Sequence, residues 1–374
     1  MALILAFRRW WAILFVALLS LPALGHFLPD LPAPMRTTLA PEARWWEEAN
    51  KRLDPYVNNV FGFRGAVLAA HRAYVRFIGA PAGHNFIVGE NGSLFYTGEH
   101  AMEQSVGQLV RADKVDEFVG VAERLKAQIA PWGGRLLVAV PPNSQTINFE
   151  NLPAYARRQM VSPTEYDLLA ARLKAAGVDF VDLRAVLREA KQSGAVYWRH
   201  DTHWNERGAL IGFNAAMAAV GHSDFAVSPE EALGAPVARP DGDMMRMADR
   251  TKLGDPDLAF PMKGPMLMPD DLVPITGIMA PVGKGNPFPP FAFDTGHPGP
   301  RIMVLGDSFT NRFWRGLLAY RSSAFAWTHH LFCQFDRKEI DAFKPDILIY
   351  AATERLFPCS NELPSWLQGD KAGE

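Results

Sequence analysis

The feature that most restricts the fold of this chain is an alternation of short apolar runs with stretches of helical periodicity. Five runs, Arg135 to Val140, Val178 to Leu183, Arg301 to Leu305, Ser323 to Thr328 and Asp346 to Ala351, are almost continuously apolar or β-rich. Strands covered on both faces read this way. Between them lie helical patterns at Val115 to Ile129 (Val115, Phe118, Val119, Ala122 and Leu125 on one face), Pro163 to Ala176, Asn311 to Tyr320 and Arg337 to Phe343. Strands alternating with helices predict an α/β sandwich around a mostly parallel sheet. Ahead of it, Ile87 to Tyr96 predicts a β-hairpin with a tight primed turn at Asn91-Gly92. Residues 254–300 are crowded with Pro and Gly and break the rhythm, which predicts an irregular insertion that leads back into the sheet.

The N-terminal end carries a different signal. Arg8 and Arg9 precede an uncharged apolar run, Trp10 to Gly25, with the apolar Met1 to Phe7 upstream. Two readings stand for residues 1–28: an uncleaved membrane anchor, or a signal peptide cut after the small-x-small sequence Ala23-Leu24-Gly25. Both keep the arginines in the cytoplasm and export the rest, so the expected location is the periplasm, on the inner membrane if the segment stays. Residues 29–44 read as a Pro-rich linker, with helical segments at about Pro41 to Asn50 and Gly65 to Ile78, and residues 45–374 as the folded domain. A net charge of −2 and the lack of a basic run argue against a nucleic-acid partner. Cys333 and Cys359 are the two cysteines. Export permits a disulfide between them, and the sequence leaves pairing open.

Two motifs carry chemistry. In Val304-Leu305-Gly306-Asp307-Ser308-Phe309 an apolar strand runs into Gly-Asp-Ser before a helix. Ser308 thereby falls at the carboxyl end of a strand, where open α/β sheets bind ligands. Gly306 is expected to let the backbone turn sharply, and the Ser308 amide to donate to an oxyanion. A serine hydroxyl needs a base, and the second motif, Tyr197 to Asn205, offers one. Asp201 and His203 flank Thr202, so both can project to one side of an extended segment. A helix follows near Asn205 with Ala209, Leu210, Phe213 and Met217 on one face. The competing readings are a helix cap in a surface loop, or a metal site using His200 and His203. No third ligand is spaced to complete a helical zinc motif, so neither metal nor cofactor is expected.

Asp-Thr-His-Trp followed by Gly-Asp-Ser-Phe resembles the SGNH-hydrolase-like domain of the AlgJ/AlgX-type alginate O-acetylation family. There the Asp-x-His block precedes the serine, as in a circular permutation of the ordinary SGNH order. Asn59 to Arg64, Val88 to Phe95 and Val140 to Asn143 are similar to further boxes of that family, with Ser93 where a tryptophan and Ser144 where a lysine is common. The resemblance runs from about Trp45 to Leu356. It implies a three-layer α/β/α sandwich, a Ser308–His203–Asp201 triad, and transfer of acetyl through an acyl-serine to hydroxyls of an exopolysaccharide such as alginate. A membrane-bound O-acyltransferase is the implied acetyl source. The chain is expected to be nearer the AlgJ type, with no separate carbohydrate-binding module. Asn143 and His329 are candidate oxyanion contributors, and Trp204, with Trp198, either packs the site floor or stacks on sugar rings. The alternatives are a secreted carbohydrate or lipid acetylesterase, or a non-catalytic glycan-binding assembly protein of the same fold.

Overall fold

The structure, a computed structural model, describes residues 8–25, 70, 85–239, 242–247, 255–279 and 287–360. The linker at 29–44, the helical segments expected at 41–50 and, residue 70 apart, at 65–78, and the Asn59–Arg64 box lie outside the described residues. The chain divides into two compact units, Met1–Gly83 and His84–Glu374. In the first, Arg8–Gly25 is an 18-residue helix. Among the described residues no helix is long and apolar enough to cross a membrane.

The second unit is built on a seven-stranded sheet. In chain order its strands are β1 (Arg135–Val138), β2 (Asp179–Phe180), β3 (Val273–Pro274), β4 (Phe291–Asp294), β5 (Arg301–Gly306), β6 (Ala324–His329) and β7 (Ile347–Ala351). The spatial order is β2-β1-β7-β5-β6-β4-β3. The first five are mutually parallel, whereas β4 and β3 add antiparallel at one edge. These two edge strands come from the stretch expected to be an irregular insertion, which thus returns to the sheet as short strands.

Side chains alternate along the parallel strands, so each strand feeds two cores. Ile302 and Val304 of β5 point into one apolar cluster, Met303 and Leu305 into the other. Helices α1 (Ala112–Ile129), α2 (Glu165–Ala175) and α7 (Arg337–Phe343) cover the second cluster. Helices α3 (Leu183–Lys191), α4 (Glu206–Ala219), α5 (Ser308–Phe313) and α6 (Arg315–Arg321) cover the first. The result is the expected three-layer sandwich.

Local chemistry sets the helix ends. Thr164 and Asp167 form a capping box at the start of α2, and the Asn205 side chain accepts from the Gly208 amide to start α4. Three local expectations are corrected. The run Val178 to Leu183 gives only a two-residue strand, because Asp182 caps α3 and turns the chain into a helix. The helix expected at Asn311 to Tyr320 is two helices, α5 and α6, broken at Trp314. The hairpin joins Phe86–Val88 to Leu94–Tyr96 through a longer loop in which Asn91 and Gly92 both take positive φ. Cys333 and Cys359 are joined in a disulfide beneath the α7 face.

Candidate active site

Strands β1, β5, β6 and β7 run parallel, so their carboxyl ends share one edge of the sheet, and the site lies there. β5 ends at Gly306, paired with His329 of β6 and Ala351 of β7. Gly306 does not make the sharp turn expected of it. It continues the strand, and a β-carbon there would come within 2.1 Å of Thr310 Oγ1 and 3.1 Å of Trp327 Nε1. Its role is close approach: Trp327 Nε1 donates to Thr310 Oγ1 at 3.0 Å directly against it. Asp307 then caps α5. One carboxylate oxygen accepts from the Phe309 amide at 2.9 Å, and the other from the Thr353 amide at 2.8 Å and hydroxyl at 2.6 Å. Asp307 is therefore clasped between the start of α5 and the chain just beyond β7, which fixes Ser308 as the first residue of the helix.

The Asp-Thr-His-Trp segment reaches the same edge from the head of α4. Tyr197 and Trp204 form an antiparallel bridge, and Asn205 binds back to Val196 and Ala195. His203 leaves this turn resting on Phe309, with ring centroids 5.0 Å apart. Its Nε2 lies 2.8 Å from Ser308 Oγ, and its Nδ1 lies 2.7 Å from Asp201 Oδ1. Asp201 also accepts the His203 amide at 3.1 Å, so its carboxylate orients both ring and backbone. These three residues, named from the sequence, are brought together.

Two further residues complete the arrangement. Arg239 Nη2 donates to Asp201 Oδ2 at 2.8 Å while its guanidinium lies 3.5 Å over the Trp198 ring. Asp243 accepts from the Thr202 amide and hydroxyl, and its Oδ2 is 3.5 Å from His203 Nδ1. The Asp243 amide donates to Asp201 Oδ2 at 3.2 Å. This approach requires Gly242, where a β-carbon would meet the His200 carbonyl oxygen at 2.1 Å. Sequence reading missed Arg239 and Asp243. They follow Asp201 by 38 and 42 residues, and their one local signal is a pair of charges around the turn-forming Pro-Asp-Gly.

Electrostatics follow from these contacts. Burial pushes the Asp201 carboxyl up, but hydrogen bonds and charge from His203 and Arg239 outweigh it and hold it below the usual range. Burial lowers the His203 pKa, and the hydrogen bonds and charges of Asp201 and Asp243 more than reverse this, so it sits above its ordinary value. The carboxylates Asp201 and Asp243 with His203 could offer a cation three ligand atoms within 4.8 Å of one another. The Arg239 guanidinium already neutralises Asp201, and Thr202 occupies both Asp243 oxygens, so this set fits a cation poorly. His200 faces elsewhere, toward the Gly92 carbonyl and Asp257.

A cavity of about 230 Å³ opens on the relay; Trp198, Arg239, Phe288, Asn311 and Arg312 share its lining with Ser308 and His203. Three sequence candidates do not line it. Asn143 is fully buried, its amide nitrogen engaged with Ser105 Oγ and Ala101 and its backbone with Glu354. His329 accepts the Leu331 amide and stacks between Phe288 and His330, one ring behind the cavity wall. Trp204 is wholly buried on Trp314 and Phe309 and donates to the Phe309 carbonyl, so it packs rather than stacks on ligand. Trp198 is the tryptophan on the wall.

The site thus joins a serine at a strand end of a mostly parallel α/β sandwich to an Asp-x-His segment beside it. Residues 86–260 match the family model described as SGNH hydrolase-like domain, acetyltransferase AlgX. The probable alginate O-acetylase AlgJ of Pseudomonas aeruginosa is 31% identical over 123 residues, 33% of this chain and 30% of that protein. A Pseudomonas syringae protein with the same description is 31% identical over 129 residues, 33% of this chain and 31% of its own. The chain thus matches under a third of the length of these relatives. Bacillus cereus PatB1 shares the fold, with a TM-score of 0.51 and 13% identity over 74% of this chain and 98% of its own. So does a DHHW family protein from Eubacterium siraeum, with a TM-score of 0.52 and 13% identity over 74% and 96%. Residues 86–260 are thus similar to an SGNH-hydrolase-like domain of the AlgJ/AlgX type. The matched segment includes Asp201, His203, Arg239 and Asp243; Ser308 lies C-terminal to it.

Proposed function

We propose that the protein is an O-acetyltransferase that passes acetyl through Ser308 to a hydroxyl of an exopolysaccharide, alginate being the polymer its relatives are described as modifying. The observation that carries this reading is the unbroken relay from Ser308 Oγ through His203 to Asp201 at the mouth of a cavity. His203 Nε2 takes the serine proton as Oγ attacks the acetyl carbonyl, and returns it to the departing donor group. The same nitrogen then takes the proton of the glycan hydroxyl that attacks the acyl-serine. Asp201 holds the Nδ1 proton and stabilises the imidazolium, and Arg239 keeps Asp201 ionised and oriented.

Export to the periplasm, with residues 1–28 as anchor or signal, and a membrane-bound O-acyltransferase as acetyl source belong to the same proposal. The test is to incubate the protein with p-nitrophenyl acetate and an alginate oligosaccharide, then weigh the sugar by mass spectrometry. Acetylated sugar that disappears with Ser308→Ala supports the proposal. Free acetate with unmodified sugar turns it toward an esterase, and donor turnover unchanged in Ser308→Ala overturns the nucleophile assignment.

A further inference from the structure

Asn311 stands three residues after Ser308 on α5, and both side chains line the cavity. At that spacing two helical residues share a face, with β-carbons about 5–6 Å apart. The Asn311 Oδ1 accepts a hydrogen bond from Arg315 Nη2 at 3.0 Å. Arginine can only donate, so this contact fixes which end of the amide is oxygen. Arg315 is itself held, its guanidinium 4.2 Å over the Phe291 ring. The other end, Asn311 Nδ2, is buried and has no hydrogen-bond partner among the described residues. Buried amide donors are normally paired, and an exception calls for a reason. Here the residue beside that donor is the serine of the relay, and Asn311 and Ser308 line one cavity.

We infer that Asn311 Nδ2 is the side-chain donor of the oxyanion hole, a role the sequence reading gave to Asn143 and His329. The inference rests on Ser308 being the nucleophile. When Oγ bonds to the acyl carbon, the carbonyl π pair moves onto oxygen and the serine proton goes to His203 Nε2. Collapse restores the carbonyl, breaks the bond to the donor alkoxide and delivers the proton to it. Attack by the acceptor hydroxyl builds charge on the same oxygen again as its proton goes to His203; collapse re-forms the carbonyl, breaks the Oγ–acyl bond and returns that proton to Ser308 Oγ. Asn311 Nδ2 and the Ser308 amide stabilise that oxygen in both halves.

The kinetic test compares Asn311→Ala and Asn311→Asp for acylation by p-nitrophenyl acetate, followed as pre-steady-state release of p-nitrophenol. Asp keeps an acceptor for Arg315 and the same shape but supplies no donor, so a residue that merely positions Arg315 would tolerate it. Both variants should lose about 10²–10³-fold in kcat, with KM within about threefold of the parent and, in Asn311→Ala, an unchanged pH midpoint. Wild-type kcat in Asn311→Asp, or a loss confined to KM, overturns the assignment. A second measurement uses the unmodified protein: a crystal structure of its p-nitrophenyl phosphonate adduct. Nδ2 should lie about 2.7–3.1 Å from a phosphonyl oxygen. An adduct on Ser308 with Nδ2 turned away overturns the Asn311 role alone, whereas failure of Ser308 to form one overturns the nucleophile reading as well.

Discussion

Replacing Asp307 by Ala tests whether the clasp at the end of β5 holds the serine in place. The carboxylate is 1% exposed and accepts three hydrogen bonds, from the Phe309 amide and from the Thr353 amide and hydroxyl. Loss of the helix cap costs about 1 kcal/mol. The Thr353 amide is left buried without that acceptor, at about 1–3 kcal/mol. The expected loss is therefore about 2–4 kcal/mol. For a unit of this size that lowers Tm by roughly 4–8 °C. Urea unfolding measures the free energy and calorimetry the midpoint. Thr353→Val removes the hydroxyl contact alone and should cost about 1 kcal/mol. Because both residues share the same bonds, the double variant should lose less than the two singles together. An Asp307→Ala loss below about 1 kcal/mol, or strict additivity, would refute the clasp.

Three further outcomes are expected. Asp201→Asn should leave the fold intact and lower donor turnover by up to about 10⁴-fold, measured by p-nitrophenol release, because an amide stabilises the wrong imidazole tautomer; near-normal turnover counts against the relay. His203 must be neutral to accept a proton and its pKa is raised, so turnover should rise with pH through a midpoint above 6.5. Asp201→Asn should move that midpoint down, and a parent midpoint below 6.5 in the pH–rate profile would contradict the electrostatics. Reducing Cys333–Cys359, which are 26 residues apart, should cost about 3.5 kcal/mol by loop entropy, read as a fall in the urea midpoint with dithiothreitol.

Contacts between near neighbours in sequence were legible from it. The alternation Ile302-Met303-Val304-Leu305 gives each strand two apolar faces whatever the topology, so a sheet covered on both sides followed directly. The Asp201–His203 pairing is local too, since residues two apart on extended backbone share a side. Residues 254–300 are the intermediate case: composition marked the break, but edge strands β3 and β4 depend on hydrogen bonds to β6 and to each other.

Only the tertiary structure decided what meets across long separations. Ser308 reaches His203 over 105 residues because β5 and the head of α4 end at one sheet edge. Arg239 and Asp243 join Asp201 from beyond α4. Asn143 follows β1 and His329 is the last residue of β6, both at that same edge. Their side chains are nevertheless taken by Ser105, Ala101 and the Leu331 amide, and Trp204 is buried on Trp314. Position along a strand places a residue at the edge, but the hydrogen bonds available there determine where its side chain goes. For Asn311 on α5, Arg315 at the head of α6 makes that choice.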